Sequence, residues 1–329
     1  MLLAIACNQQ KMSNDKTLTV AFYNTENLFD IFDDKHTDDK EFTPDGRNNW
    51  TIDRYTKKID DIAKVLSNIN KRELPEIIGL CEIENKKVLD DLVHSKYLKA
   101  GNYRIVHYDS RDNRGIDCAL IFRPDEFNLK KSTALLVPFP EEPGFVSRDI
   151  LYVTGETNNG ETLHIFVNHW PSRNKGVKNT ELRRVQAARF LKSKVDKILR
   201  KNSSAEIIIM GDMNDEPSNR SLLEILQANR PGTPDSKLVN LMYPVHDNHR
   251  GSYNFRGNWN MLDNIITTPN LLNNEGFQCK EGHGYIFRKP WMEYVKNNGD
   301  VTPNRTYGGP NYYGGISDHF PVYAEFERE

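Results

Sequence analysis

A set of short apolar runs, each stopping at a side chain able to do chemistry, constrains this chain most. Residues 18–23 run into Asn24, and residues 75–81 run into Glu82. Residues 163–167 run into Asn168-His169-Trp170, and residues 206–210 into Gly211-Asp212-Met213-Asn214. The run at 261–267 carries Asp263, and the last, 322–326, is preceded by Ser317-Asp318-His319. Their length and β-branched, aromatic content predict buried strands. Further strands are expected at 103–107, 118–122 and 151–156. Thr51 can cap a helix in which Ile52, Tyr55, Ile59, Ile62, Leu66 and Ile69 recur at steps of three and four. Other helices are expected at 85–98, from Thr180 onward with Leu182, Val185, Ala188, Leu191, Val195 and Leu199 on one face, and at 218–229 before Pro231-Gly232. Strands interleaved with few helices predict an α/β (or α+β) fold with mixed sheets. With no repeat, low-complexity tract or linker, residues 17–329 are expected to form one domain.

The 329 residues suffice for a core without staples. No stretch of about 18 apolar residues occurs, which excludes a polytopic membrane protein. Lys+Arg number 44 against Asp+Glu 46, a net charge of −2. That argues against gripping nucleic acid by bulk charge, but allows a local basic groove or a metal that supplies the positive charge. Cys81 and Cys118 lie in apolar runs and read as core thiols, and Cys279 reads as a free thiol in a polar loop. None has metal-ligand spacing. Cys7 follows a short apolar segment ending in Ala6 and precedes Asn8-Gln9-Gln10-Lys11. This resembles the end of a bacterial lipoprotein signal, although a charged leading region is absent. The expectation is an exported protein, periplasmic, surface-bound or secreted, touching membrane only through a lipid on Cys7. The alternative is a frayed N-terminus. A monomer is expected.

In α/β sheets, ligands gather at the carboxyl ends of strands. One acid there is ordinarily a turn former. Several, mixing Asp, Glu, Asn and His with no thiol, suit a hard divalent cation, Mg²⁺ or Mn²⁺. Two histidines far apart in sequence could flank a phosphate, which completes the kit for metal-assisted phosphodiester hydrolysis. The competing reading is a structural polar network.

The segments Asn24 to Leu28, Leu80-Cys81-Glu82, Asn168-His169-Trp170, Gly211-Asp212-Met213-Asn214, Leu262-Asp263-Asn264-Ile265-Ile266 and Ser317-Asp318-His319-Phe320-Pro321-Val322 resemble, in order, those of the endonuclease/exonuclease/phosphatase superfamily. Deoxyribonuclease I and the apurinic endonucleases belong to it. The opening Phe22-Tyr23-Asn24-Thr25-Glu26-Asn27-Leu28-Phe29-Asp30 is similar to a bacterial branch described as extracellular nucleases. The resemblance implies a four-layer sandwich, two mixed sheets face to face with helices outside. It implies Glu82 as the principal metal ligand, with Asn24 and Asp318 on the metal side. Asp212 would orient or deprotonate the attacking water, and Asn214 would donate to the developing phosphorane charge. His319 would contact the phosphate with Asp263 fixing its tautomer and charge, and His169 would contact it from the other side. The remaining histidines match no motif.

Other assignments follow more loosely. Arg148, in Ser147-Arg148-Asp149, resembles a phosphate-contacting arginine of deoxyribonuclease I. Asp117 is the nearest acid to the family position that partners the first histidine, one residue out of register. A one-residue slip would turn it to the other face; otherwise it is a loop acid capping a strand. The 282–315 segment reads as an irregular insertion whose Arg288, Arg305 and Tyr312 could form a groove wall for phosphates and bases. Equally, it could pack its own aromatics. The expected activity is a Mg²⁺-dependent endonuclease acting on DNA, or on RNA. The alternatives are a phosphatase or phospholipid phosphodiesterase, of inositol phosphate or sphingomyelin type, with the same site, and a non-catalytic binding module.

Overall fold

The computed structural model describes residues 17–158, 160–273, 276–279 and 281–327. Cys7 and its expected lipid lie outside them. In chain order the first half comprises β1 (Thr17–Leu28), α1 (Ile52–Ser67), β2 (Ile77–Ile83), α2 (Lys86–Val93), β3 (Arg104–His107), β4 (Asp117–Phe122), β5 (Phe127–Leu135), β6 (Ile150–Thr157) and β7 (Thr162–His169). The second half comprises α3 (Val177–Lys201), β8 (Glu206–Asp212), β9 (Ala228–Asn229), β10 (Leu238–Asn240), α4 (Tyr243–Asp247), β11 (Tyr253–Phe255), β12 (Asn258–Asn260) and β13 (Asp263–Thr267). Then come β14 (Tyr285–Ile286), β15 (Glu293–Val295), β16 (Val301–Pro303), β17 (Tyr307–Gly308), β18 (Asn311–Tyr312) and β19 (Val322–Glu327).

Two mixed sheets result, ordered β14-β19-β1-β2-β4-β3 and β5-β6-β7-β8-β13-β10-β9. Each is centred on a parallel pair, β1 with β2 and β7 with β8. Alternation along β1 sends Leu18, Val20 and Phe22 into a core shared with Ile165, Val167, Ile208 and Met210 of the other sheet. Ala21 and Tyr23 pack instead beneath α1 and α2 with Ile59, Ile62, Leu66 and Leu89. On the far side, Phe166, Ile207 and Ile209 meet Ala187, Ala188, Leu191 and Val195 of α3. The layers are therefore helix, sheet, sheet, helix, as expected. The sheets touch closely at Gly79, where an added Cβ would stand 2.4 Å from Met210 Sδ.

Several sequence expectations need correction. Ile52 and Leu182, placed on buried stripes, are 54% and 61% exposed. Each sits in the first turns of its helix, before the axis closes onto the sheet. Thr51 holds the N-cap position of α1 without a side-chain hydrogen bond. The helix expected over 85–98 stops at Val93, and that over 218–229 shrinks to one wide turn at Ser221–Leu226 followed by β9. The 282–315 segment is built of short ribbons, β15 with β16 and β17 with β18, rather than irregular chain. Cys279 is buried and free, as are Cys81 and Cys118.

Candidate active site

The two central parallel pairs deliver four side chains to one end of the sandwich. Asn24 comes from β1, Glu82 from β2, His169 from β7 and Asp212 from β8. Asp263 opens the antiparallel β13 directly opposite Asp212. Asp318 and His319 lie just before β19.

Backbone irregularities aim the first two. The β1–β2 ladder slips between Asn24 and Leu28, and the β2–β4 ladder between Cys81 and Ile83. At these bulges Glu26, Asn27 and Glu82 adopt φ of +51°, +55° and +60°, left-handed values that cost non-glycine residues energy. In return the Asn27 N–H donates to Glu82 Oε2 at 2.9 Å and the Glu26 N–H to Asn24 Oδ1 at 2.9 Å. Asn214 is likewise left-handed at φ +48°, its N–H on Asp212 Oδ1 and its Nδ2 on the Trp170 carbonyl.

Asp212 Oδ2 lies between the two imidazoles, 3.7 Å from His169 Nε2 and 3.9 Å from His319 Nε2, and accepts from Asn24 Nδ2 at 3.1 Å. His169 Nε2 is also 3.7 Å from Glu82 Oε1. His319 Nδ1 pairs with Asp263 Oδ2 at 2.6 Å, and the Ser252 hydroxyl donates to that same oxygen. Asp318 Oδ1 is 3.9 Å from His319 Nε2, and Asp318 Oδ2 meets Arg305 Nη2 at 2.7 Å. The Ser317 hydroxyl donates to the Asn24 carbonyl, tying the β19 entry to β1.

The two histidines differ in charge. Burial pushes His169 well below the ordinary imidazole range, and the Arg148 and Arg114 charges push it further. Burial opposes the charge on His319 too, but Asp263 and Asp212 outweigh it and hold the imidazole protonated well above its usual range. Burial raises the Asp212 carboxyl to about 7, with His319 the largest opposing influence. The site thus pairs a neutral and a cationic imidazole across one carboxylate of raised proton affinity.

All of these residues except Asp263, which lies buried behind His319, floor a cavity of about 930 Å³. Its walls carry Arg47, Arg114, Arg173, Lys175, Arg183 and Arg305, beyond the histidines. Glu82, Asn24 and Asp318 offer oxygen donors on the side nearest β1 and β2. Such a hard, partly exposed set fits Mg²⁺ or Mn²⁺. Asp212, Asp263 and His319 also place one ligand atom each within 4.8 Å of one another. Because the short His319–Asp263 hydrogen bond occupies that cluster, the Glu82 side is the better cation site.

Of the thirteen residues singled out in the sequence, Asn24, Glu82, His169, Asp212, Asn214, Asp263, Asp318 and His319 are brought together. Arg148 lines the cavity but is buried and committed to protein, with Nη2 on the Trp170 carbonyl at 2.6 Å and Nη1 on Asp112 at 3.3 Å. Only Arg305 among the insertion residues named reaches the cavity. Arg288 bonds Glu293 and stacks on Trp259 at 4.7 Å, and Tyr312 lies under Arg54 at 4.0 Å. Those two pack the ribbons and do not line the cavity. Asp117 faces His107 at 3.5 Å, not His169. The register slip puts it on that face, and His169 Nδ1 has no hydrogen-bond partner among the described residues.

Sequence reading missed three residues. Arg173 bonds the Asn214 carbonyl at 2.6 Å and also Asn260, Asp215 and Asn219, fixing the strained turn after β8. It stands four residues after His169, and that nearness was its only signal. Glu26 accepts from the Thr306 N–H at 2.6 Å and lies 3.7 Å from Arg305. Tyr253 tilts against His319 with ring centres 4.9 Å apart.

A family model described as Endonuclease/Exonuclease/phosphatase family matches residues 19–328. No curated protein matches the chain. Among solved structures, a humanized TDP2 from D. rerio superposes with a TM-score of 0.59 at 13% identity, covering 95% of this chain and 100% of that one. A mannosyl-6-phosphatase from Bacteroides thetaiotaomicron gives 0.58 at 18%, covering 94% and 99%. The human Nocturnin catalytic domain with bound sulfate gives 0.55 at 15%, covering 96% of each. At these identities the likeness is one of fold.

Proposed function

The chain belongs to the endonuclease/exonuclease/phosphatase family, and from that premise we propose that it is a Mg²⁺-dependent phosphodiesterase acting as an endonuclease on DNA. The observation that carries the substrate reading is the reach of positive charge. Arg47, Arg114, Lys175 and Arg183 line the cavity beyond the residues that handle one phosphate. Arg47, Arg114 and Arg183 each pair with an acid, Glu41, Asp112 and Glu142, yet they bring basic groups of a chain of net charge −2 to the wall where a polyanion would lie. A phosphomonoester of a small molecule has no need of them.

In this reading Glu82, Asn24 and Asp318 would hold the cation, which would supply positive charge to offset that of the phosphate. Asp212 Oδ2 takes the proton of the attacking water. Its raised proton affinity brings it near the operating pH of a general base. His319, kept cationic by Asp263, donates from Nε2 to a non-bridging phosphate oxygen, and the charge it offers grows in value as the phosphorane forms. His169 and Asn214 face the same oxygens as neutral donors. Arg173 holds Asn214 in its left-handed turn. Export, with Cys7 as the lipid-bearing residue, remains part of the proposal and rests on the N-terminal sequence alone.

The test is nicking of supercoiled plasmid by the full chain with Mg²⁺, with Mn²⁺ and with EDTA, beside a panel of sugar and inositol phosphates. The reading expects metal-dependent nicking and little monoester hydrolysis. Release of phosphate from a monoester without nicking would move the substrate to the phosphatase class.

A further inference from the structure

A second cluster of metal-binding side chains lies apart from the catalytic residues, at one edge of the first sheet. His107 ends β3, Asp117 begins β4, and Asp109 sits in the loop that joins them. One ligand atom from each lies within 4.8 Å of the other two. The strands are antiparallel with His107 opposite Ala119. Residues two apart share a face, so Asp117 falls diagonally beside the imidazole.

The imidazole is 4% exposed, and its Nε2 stands 3.5 Å from Asp117 Oδ2 with no hydrogen-bond partner among the described residues. That separation is long for a hydrogen bond. It is close to the spacing of two donors that each sit roughly 2.0–2.2 Å from a shared ion. Asp117 Oδ1 is occupied by the Ser110 N–H at 2.9 Å, which turns Oδ2 toward His107. Asp109 is 88% exposed, with Oδ1 3.8 Å from the other ring nitrogen, Nδ1, so its side chain must rotate to join Asp117 at Nε2. Nearby, Asp149 Oδ1 is buried without a hydrogen-bond partner among the described residues, and the Asp117 charge adds to burial in raising that carboxyl. An unpartnered buried nitrogen among carboxylates is the arrangement a cation would satisfy.

We propose that His107, Asp109 and Asp117 form a second metal site, specific for a divalent transition ion of the zinc type. A nitrogen donor with two carboxylates suits Zn²⁺ better than Mg²⁺ or Ca²⁺, which favour oxygen alone. Its role is positional. The ion joins both ends of the 108–116 loop, which sends Asp112 and Arg114 into the wall of the catalytic cavity. Asp112 in turn holds Arg148.

The experiment is calorimetric titration of the chelator-treated full chain with Zn²⁺ in saturating Mg²⁺, with Co²⁺ absorption as an independent probe. The expected result is a Zn²⁺ equivalent kept by Glu82→Gln. It is weakened in His107→Ala by more than the roughly 10–100-fold that loss of an outer-shell partner costs. Asp109→Asn, at an exposed position where folding is not at stake, also weakens it. Zn²⁺ further slows trypsin cleavage at the exposed Arg111 and Arg114 of wild type but not of His107→Ala. Undiminished Zn²⁺ binding by His107→Ala and Asp109→Asn overturns the site. So does a wild type whose only Zn²⁺ equivalent vanishes with Glu82→Gln.

Discussion

At the scale of single residues the site depends on two histidines, one neutral and one cationic, around Asp212. The 2.6 Å His319–Asp263 contact is what keeps one of them cationic in a buried place. Removing the carboxylate charge in Asp263→Asn keeps the volume but lets burial win. Phosphodiesterase kcat should fall by roughly 10²–10⁴-fold, the usual worth of a positioned proton-handling group, with KM little changed. Steady-state kinetics on plasmid or a short oligonucleotide checks this. A different carboxyl links stability to pH. Glu206 begins β8, has a buried Oε2 with no hydrogen-bond partner among the described residues, and is raised to about 7 by burial and then by Glu161. The native state therefore keeps a proton that the unfolded chain has lost above its ordinary carboxyl range. Stability falls as pH climbs from about 4.5 to 7. Glu206→Gln should raise the melting temperature at pH 8 more than at pH 5. The eight convergent residues were legible in the sequence because motif chemistry marks them at strand ends. Arg173 and Glu26 were not, since their work is to hold backbone in strained turns, and nothing in a linear pattern reports φ. Asp117 misled because one residue of register decides which face a strand side chain takes.

At the scale of elements, the site is assembled by strand ends that approach too closely for ordinary side chains. An added Cβ at Gly211, between Asn168 and Asp212, would stand 2.3 Å from the Asn168 carbonyl of the neighbouring β7. Gly211→Ala must separate β7 from β8. It should cost about 1–3 kcal/mol in urea unfolding, the typical cost of overpacking, and should cut activity more than the lost stability explains. The central strands were readable as continuous apolar runs because both of their faces are covered. β5 was missed because it lies at a sheet edge with an exposed or half-exposed face along Asn128 to Leu135, so no apolar run announces it. The ribbons of the 282–315 segment were missed for the same reason. They are two or three residues long and stabilised by ring stacking, such as Tyr294 on Tyr313, that spacing does not encode.

At the scale of the whole molecule, segments far apart in the sequence meet at the active site. Lys58 of α1 is buried and its Nζ donates to the Glu26 carbonyl, the Thr306 hydroxyl and the Ile316 carbonyl. It clamps the β1 bulge to the segment that carries Arg305 and Asp318. Lys58→Met keeps the apolar stem but removes the donor that those three acceptors share. It should cost about 1–3 kcal/mol and shift Mg²⁺ activation to higher concentration through the loosened Asp318. A Mg²⁺ activation curve beside a denaturation curve separates the two effects. The four-layer order was expected from family resemblance, not from strand counting, because the pairing of distant strands is a property of the folded core. The most direct single measurement is nicking of supercoiled plasmid by wild type, Asp212→Asn and His319→Ala, each with Mg²⁺ and with EDTA. Metal-dependent nicking by wild type, lost in both variants while their folding is unchanged, is the predicted result. Nicking that survives EDTA or survives both substitutions, or its absence from folded wild type under Mg²⁺ and Mn²⁺ alike, would contradict it.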